Sequence, residues 1–150
     1  MAKKEIGRII LPTDGSEEAN RAARKAIYIA KHVGVEVIAL YVVDTPFLTR
    51  YSSGEDILTP DILSLIKREG RIVLNKVEKM GKRAGVKITT KMVEGIPDEE
   101  IIKIARKNDL IVMGSKGKTA LDRILLGSVS EKVVHYAPCP VMIVREKKEE

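Results

Sequence analysis

The chain has 150 residues, of which 44% are hydrophobic and 32% are charged, as expected of a soluble globular protein. It contains no apolar run near the ~20 residues that a membrane-spanning helix requires, and its single cysteine, Cys139, excludes an intramolecular disulfide and a multi-cysteine metal site. The net charge of +6 comes from basic residues interspersed with acids, and four Tyr and one Phe are too few for a base-stacking surface, so nucleic acid is not the expected partner. The charged N-terminus lacks a hydrophobic signal region, which predicts a cytoplasmic protein.

The first third of the chain predicts two buried strands joined by a helix. Residues 6–11 are apolar at nearly every position, as in a strand of a parallel sheet that is covered on both faces, and the turn 12–15 follows them. From Ser16 onward, apolar residues recur every three or four positions, which indicates a helix that Ser16 caps and Gly34 ends. Residues 35–43 form the second predicted strand.

The middle of the chain predicts a loop, a long helix and an edge strand. Residues 45–59 lose periodicity and contain proline, serine and glycine, so we expect a long flexible loop. A helix follows from Pro60 to Gly85. Its predicted apolar face consists of Ile62, Ile66, Val73, Val77, Met80 and Ala84. A third strand over 86–93 has polar residues on one side, which is typical of a sheet edge; they are Lys87, Thr89 and Lys91.

The last third of the chain continues the alternation of helices and strands. The predicted elements are a short helix that the segment 95–100 opens and that runs through Arg106, a strand over 110–113, a helix over 128–136, a strand over 140–144 and a charged tail over 146–150. Such alternation predicts a parallel sheet with right-handed crossovers. We therefore predict one α/β domain over 1–150, an open five-stranded parallel sheet of strand order 3-2-1-4-5 with helices on both faces.

Two segments follow strand ends at the place where a ligand is expected. In an open α/β sheet, ligands bind beyond the carboxyl ends of the strands, at the point where the strand order reverses. Strands one and four are neighbours in the predicted order. The segments that follow them, 12–16 and 114–117, should therefore face one crevice.

The segments 114–118 and 127–130 have the composition of a phosphate site. Gly114 and Gly117 allow backbone N–H groups to approach an anion closely, and the two lysines of the first segment add positive charge. The second segment, Gly-Ser-Val-Ser, lies at a predicted helix start, where free N–H groups and the helix dipole favour negative charge. Together they predict a site for a phosphorylated ligand.

Two better-known phosphate motifs are excluded. Gly117-Lys118-Thr119 resembles the end of a Walker A loop, but Val112 occupies the position where that motif needs its first glycine. A G-x-G-x-x-G dinucleotide fingerprint is also absent from the sequence. The predicted site is therefore of a different type.

These motifs resemble the universal stress protein family, whose ATP-binding branch carries two glycines separated by two residues, then nine residues, then Gly-Ser or Gly-Thr. The matching residues are Gly114, Gly117, Gly127 and Ser128. The family's first strand and turn are similar to 10–16, the turn before its third helix to 94–97, and its last signature to 137–141. The similarity covers nearly the whole chain, except for 45–59 and the tail.

The resemblance implies an ATP site, for which AMP or ADP is an alternative ligand. The implied nucleotide-binding residues are Pro12, Thr13, Asp14, Val42, Met113, Gly114, Ser115, Lys116, Gly117, Gly127, Ser128, Val129 and Ser130. The turn 12–14 would contact the adenosine, the backbone of Val42 would read the adenine edge, and 127–130 would hold phosphates. Asp14 would help to hold Mg²⁺ or Mn²⁺ with the phosphates.

Three functions are compatible with the sequence. The first is a nucleotide-dependent regulatory or stress-response module, because no catalytic residue for phosphoryl transfer is evident. The second is a slow ATPase or an autophosphorylating switch, and the third is a dimeric structural or nucleic-acid-associated protein without nucleotide. The resemblance also implies a homodimer through the strand 140–144, whose unpaired edge would otherwise be exposed. The protein partner cannot be identified from the sequence.

Overall fold

The computed structural model describes residues 5–46, 48, 60–116 and 126–145. The strands are β1 (Arg8–Pro12), β2 (Val37–Val43), β3 (Ile88–Glu94), β4 (Asp109–Gly114) and β5 (Val141–Val144). The helices are α1 (Glu17–Val33), α2 (Pro60–Ala84), α3 (Pro97–Ile104) and α4 (Ser128–Tyr136). Among the described helices, none combines the length and the hydropathy that a membrane span would need.

The five strands form one parallel sheet of order β3-β2-β1-β4-β5, as predicted. The strand order reverses between β1 and β4, because the chain builds outward from β1 to β3 and then crosses to the other side. The edge position of β3 is confirmed. Pro140 lies outside β5, although its carbonyl accepts the Ile111 N–H at 3.0 Å, since proline has no N–H to continue the ladder.

Helices cover both faces of the sheet, also as predicted. Ile9 and Leu11 pack with α1 and α2 on one face, while Ile10 packs with α3 and α4 on the other. All three side chains are fully buried. Strand β1 is apolar at successive positions because both of its faces lie in a core.

The ends of α1 match the sequence prediction. The Ser16 hydroxyl accepts the Ala19 N–H at 3.1 Å, which caps the helix. Gly34 has a φ of 80° and its N–H donates to the Ala30 carbonyl, so the helix ends in the left-handed conformation that glycine favours.

Two predictions about the middle of the chain were wrong in part. Ile62 is 44% exposed and does not belong to the buried face of α2, because the helix packs on the sheet mainly through its later turns, around Leu74 and Val77. Residues 45, 46 and 48 are helical rather than looped, since the Leu48 N–H donates to the Asp44 carbonyl at 3.1 Å. The rest of the predicted loop over 45–59 lies outside the described residues.

Candidate functional site

A crevice of about 300 Å³ lies at the carboxyl ends of β1 and β4, where the strand order reverses. The predicted site residues that line it are Pro12, Thr13, Asp14, Val42, Met113, Gly114, Lys116, Gly127, Ser128, Val129 and Ser130. Gly117 lies outside the described residues. The structure thus brings four separate segments of the chain together at one place.

Sequence reasoning missed five of the lining residues, which are Ala19, Leu40, Asp44, Pro97 and Ile101. The period of two along β2 places Leu40 on the same face as Val42, so that residue could have been found. The others come from α1, the end of β2 and α3. Their contribution depends on how those elements pack across the sheet, which a local pattern does not indicate.

The turn after β1 is held by hydrogen bonds of its own side chains. The Thr13 hydroxyl accepts the Gly15 N–H at 3.3 Å, and the Asp14 carboxylate accepts the Ser16 N–H at 2.9 Å. Gly15 has a φ of 80°, and a Cβ there would lie 2.7 Å from a methyl group of Val73. The conformation that presents Thr13 and Asp14 to the crevice is therefore fixed locally.

The backbone of Val42 faces the crevice and has no ladder partner on this side among the described residues. The Thr13 N–H donates to the Leu40 carbonyl at 2.9 Å, so the backbone groups of Leu40 point toward β1. Residues two apart on a strand point their backbone groups to the same side, so Val42 points to the same side as Leu40. The next residue, Val43, points to the opposite side, toward β3, and its carbonyl accepts the Gly95 N–H. The N–H and C=O of Val42 therefore point past the end of β1, where the β1–β2 ladder has stopped.

The segments 114–116 and 127–130 are joined by internal hydrogen bonds. The Gly127 N–H donates to the Ser115 carbonyl at 2.7 Å, and the Ser130 hydroxyl donates to the Gly114 carbonyl at 2.9 Å. A Cβ at Gly127 would lie 3.2 Å from that same Ser115 oxygen. Gly127 thus permits the close approach of the two segments, in addition to any contact with a ligand.

Ser115 is turned away from the crevice, unlike its neighbours in the segment. Its side chain is buried, and its hydroxyl donates to the Glu18 carboxylate at 3.0 Å. It does not line the crevice. The assignment of Ser115 to the nucleotide site therefore has no support from its side-chain geometry.

Helix α4 begins at the crevice with N–H groups that have no partner within the helix. Its first intrahelical bond runs from the Glu131 N–H to the Gly127 carbonyl, so the N–H groups of Ser128, Val129 and Ser130 precede the first helical partner. All three residues line the crevice. These donors and the positive end of the helix dipole favour an anion at this point.

Lys116 adds a buried positive charge to the same crevice. Its side chain is only 7% exposed, and its Nζ has no hydrogen-bond partner among the residues that the structure describes. A buried ammonium without a partner is costly, and an anionic group in the crevice would compensate it.

The crevice also holds two carboxylates, those of Asp14 and Asp44. Within the described ranges, no three metal-binding side chains of the His, Cys, Asp or Glu type come together. The protein by itself therefore offers no multidentate metal cage in this part of the chain. A cation would need ligands from the bound molecule.

Comparison with known proteins gives one family. The model of the Universal stress protein family matches residues 5–145. The universal stress protein MJ0531 of Methanocaldococcus jannaschii is 50% identical over 146 residues, which cover 95% of this chain and 84% of that protein.

Solved structures give the same result. The structure of the MJ0577 protein, from the same organism, superimposes with a TM-score of 0.78 at 34% identity, covering 97% of this chain and 99% of that one. A universal stress protein solved in complex with cAMP has a TM-score of 0.66 at 24% identity, covering 93% of this chain and 97% of that one. At that identity the second likeness concerns the fold alone.

Proposed function

The chain belongs to the universal stress protein family, and we propose that it is a regulatory protein that binds an adenine nucleotide, ATP in the first place and ADP or AMP as alternatives, in the crevice between β1 and β4. The phosphates lie against α4 and Lys116, and the base lies against the end of β2. Binding of the nucleotide then changes the interactions of the protein with its partners. The phosphate end and the base end of the crevice are supported by separate observations.

The observation that carries the proposal is the buried side chain of Lys116, whose ammonium has no partner among the described residues and whose backbone packs against Gly127 at the start of α4. Lys116 and the first three residues of α4 all line the crevice. The Ser128 hydroxyl is exposed there and adds a further donor. This set of donors fits a phosphate chain with more than one negative charge.

The base end of the crevice fits adenine. The side chains of Pro12, Leu40, Ile101 and Met113 supply apolar surface on which a purine ring can lie. The N–H and C=O of Val42 present a donor and an acceptor side by side. Adenine carries a matching acceptor and donor on one edge, so the backbone can read the base without a polar side chain.

We extend the proposal to a divalent cation held with the phosphates. Mg²⁺ in nucleotide sites is usually bound by one or two carboxylates together with phosphate oxygens and water. Asp14 supplies one carboxylate at the edge of the crevice. Mn²⁺ has similar oxygen ligands and is the alternative.

Calorimetric titration of nucleotide-free protein tests the proposal directly. We expect binding of ATP, and a Lys116→Met variant that binds ATP about 10–100-fold more weakly, since a hydrogen bond to a charged group contributes about 1.5–3 kcal/mol. Adenosine, which has no phosphate, should bind both proteins alike. Lys132→Met, which removes an exposed lysine of α4 outside the crevice, is the matched control.

Two results would contradict the proposal. The first is the absence of binding of any adenine nucleotide to the wild-type protein. The second is an ATP affinity that Lys116→Met changes no more than Lys132→Met does. Turnover of ATP in the same samples, measured as released phosphate, would instead favour the alternative of a slow ATPase.

We also propose that two copies of the chain pair through β5. Within the part of the chain that the structure describes, this strand has a hydrogen-bonded neighbour on one side only, β4, and its sequence is Val-Met-Ile-Val. An apolar edge without a charged residue is the kind of edge that proteins cover. Antiparallel pairing with the same strand of a second copy satisfies two-fold symmetry.

A further inference from the structure

Glu18, in the first turn of α1, contacts the segment that carries Lys116. We propose that Glu18 is a positioning residue, which fixes the segment 114–116 so that the Lys116 ammonium and the start of α4 form one phosphate-binding surface. The inference rests on the proposed nucleotide function. It assigns a role in that function to a residue that does not line the crevice itself.

One carboxylate oxygen of Glu18 makes two hydrogen bonds to this segment. Oε2 accepts the Lys116 backbone N–H at 2.8 Å and the Ser115 hydroxyl at 3.0 Å. Hydrogen bonds to a charged acceptor are about twice as strong as those between neutral groups. The bonds join parts of the chain that are 97 and 98 positions apart in sequence.

Helix α1 and the end of β4 also pack closely against each other at Glu18 and Gly114. A Cβ at Gly114 would lie 3.1 Å from the Cβ of Glu18 and 3.2 Å from its carbonyl carbon. Glycine therefore lets α1 approach the end of β4 closely enough for the carboxylate to reach the next two residues. The hydrogen bonds of Glu18 therefore depend on the glycine at position 114.

The hydrogen bonds continue from Glu18 to α4. Ser115, whose hydroxyl is bound by Glu18, uses its carbonyl to accept the Gly127 N–H at 2.7 Å. Gly127 precedes the three free N–H groups of α4. Glu18 thus fixes both sources of positive potential, the lysine and the helix terminus, through one short chain of bonds.

The occupied N–H of Lys116 has a consequence for ligand binding. Since it donates to Glu18, it cannot donate to a phosphate, so Lys116 recognises the anion through its side chain. The carboxylate holds the backbone of a residue that lines the crevice. The specificity for phosphate therefore depends on Glu18 although Glu18 is itself negative.

Glu17 provides the matched control. It is also an acid in the first turn of α1, where both acids interact favourably with the helix dipole. Unlike Glu18, it is exposed and makes no hydrogen bond to 114–116. A general effect on α1 would appear in both positions. A positioning effect would appear at Glu18 alone.

The test is the ratio of ATP affinity to adenosine affinity, measured by calorimetry in Glu18→Ala, Glu18→Gln and Glu17→Ala. We expect Glu18→Ala to lower this ratio about tenfold, Glu17→Ala to leave it within about twofold, and Glu18→Gln to restore most of it, because the amide oxygen can accept the same two bonds. The ratio does not depend on the folded fraction, so a loss of stability alone does not change it.

The outcomes separate this inference from the function on which it rests. One outcome is that the wild-type protein binds ATP and Lys116→Met lowers the affinity ratio, while Glu18→Ala and Glu17→Ala give the same ratio. That result overturns the positioning role and leaves the nucleotide function standing. If Glu18→Gln lowers the affinity ratio as much as Glu18→Ala does, the hydrogen-bond account is overturned. If neither ATP nor adenosine binds to the wild-type protein, both proposals fail.

Discussion

Asp14 has a role in the fold and, in the proposed site, a second role in holding a cation. One of its carboxylate oxygens accepts the Ser16 N–H, which holds the turn before α1, and the residue also lines the crevice. An asparagine keeps an oxygen for the turn but loses the negative charge that a cation needs. The two roles can therefore be separated by a single substitution.

We predict that Mg²⁺ increases the affinity of the wild-type protein for ATP. The factor of increase should be about tenfold smaller in Asp14→Asn. In the presence of EDTA, the variant should bind ATP at least as tightly as the wild type, because a carboxylate next to the phosphates has been neutralised. Titrations with and without Mg²⁺ measure both effects. Glu99→Gln, an exposed acid of α3 outside the crevice, is the control.

An equal dependence on Mg²⁺ in the two proteins would contradict the metal role of Asp14. A variant that lost ATP binding under both conditions would indicate instead that the turn had changed. Circular dichroism of the free variant distinguishes that case.

Individual residues of the site were predictable where a local pattern marks them. Gly127 and Ser128 stand at a helix start, and Thr13 and Asp14 follow a strand, so sequence spacing located all four. Glu18 was not among the predicted site residues. Its bonds to Ser115 and Lys116 join distant parts of the chain, and no local signal indicates them.

At the scale of elements, the approach of α1 to β4 determines the shape of the site. Gly114 lies at the end of β4, with the backbone of Glu18 beside the place where a Cβ would be. The sequence suggested that glycine serves here to bring a ligand close to the backbone. The structure gives a second reason, the close packing of two elements.

We predict that Gly114→Ala destabilises the protein by about 1–3 kcal/mol, the usual cost of overpacking a close contact. The added methyl group meets the Cβ of Glu18 at 3.1 Å and its backbone carbonyl at 3.2–3.3 Å, and a helix backbone cannot yield as the end of a flexible side chain can. Urea denaturation measures the change in the free energy of unfolding. Since α1 is pushed outward, the bonds of Glu18 to the segment should weaken and ATP affinity should fall as well.

Gly7→Ala is the control for this experiment. A Cβ at Gly7 would meet its nearest atom, the Asn108 carbonyl oxygen, at 3.5 Å, which is an ordinary contact, and Gly7 does not have a positive φ. We expect it to be neutral or stabilising by up to about 1 kcal/mol, because alanine restricts the unfolded chain. Equal losses in the two variants would refute the close-packing explanation.

The N-terminal ends of the strands show a second contact between elements that sequence reasoning did not find. Arg8 of β1 and Asp109 of β4 form an ion pair, with Nε–Oδ1 at 2.9 Å, and Arg8 also donates to the Ile104 carbonyl. The pair is largely buried, far from the crevice along the strands. Nearby, burial and then the charge of Asp109 raise the pKa of the Cys139 thiol, so this cysteine stays in the unreactive thiol form at neutral pH.

At the scale of the whole molecule, most of the fold follows from the sequence. Successive apolar residues in β1 and β4 require two covered faces, and the alternation of strands with helices leaves a parallel sheet as the natural arrangement. The helical conformation of residues 45, 46 and 48 was not predicted, because Thr45 and Pro46 are poor helix formers. The hydrogen bond from the Leu48 N–H to the Asp44 carbonyl has no signal in the local sequence pattern.

The two edges of the sheet differ in a way that bears on assembly. Strand β3 carries Lys91, an exposed charge of the kind that protects an edge, whereas β5 has apolar residues throughout and Met142 is 38% exposed. Val134 and Tyr136 of α4 are also exposed, at 46% and 72%. The β5 side is therefore the side at which we expect a second copy.

The backbone shows which substitution tests this pairing without breaking the sheet. The Ile111 N–H donates to the Pro140 carbonyl, so the backbone groups of Pro140 and Met142 face β4 and those of Ile143 face outward. Ile143→Pro removes an outward N–H and leaves the ladder with β4 intact. On the other edge, the Val37 N–H donates to the Lys87 carbonyl, so Thr90 faces outward in the same way and Thr90→Pro is the matched control.

We predict that light scattering gives the wild-type protein twice the chain mass of 16.6 kDa, that Ile143→Pro shifts it toward the single-chain mass, and that Thr90→Pro does not. Both variants lose one backbone donor at an exposed edge, so a general effect of proline on stability would act on both alike. A wild-type mass of 16.6 kDa at every concentration would refute the pairing. A dimer that persists in Ile143→Pro would place the interface elsewhere, and the exposed side chains of Val134 and Tyr136 on α4 would then be the surface to test.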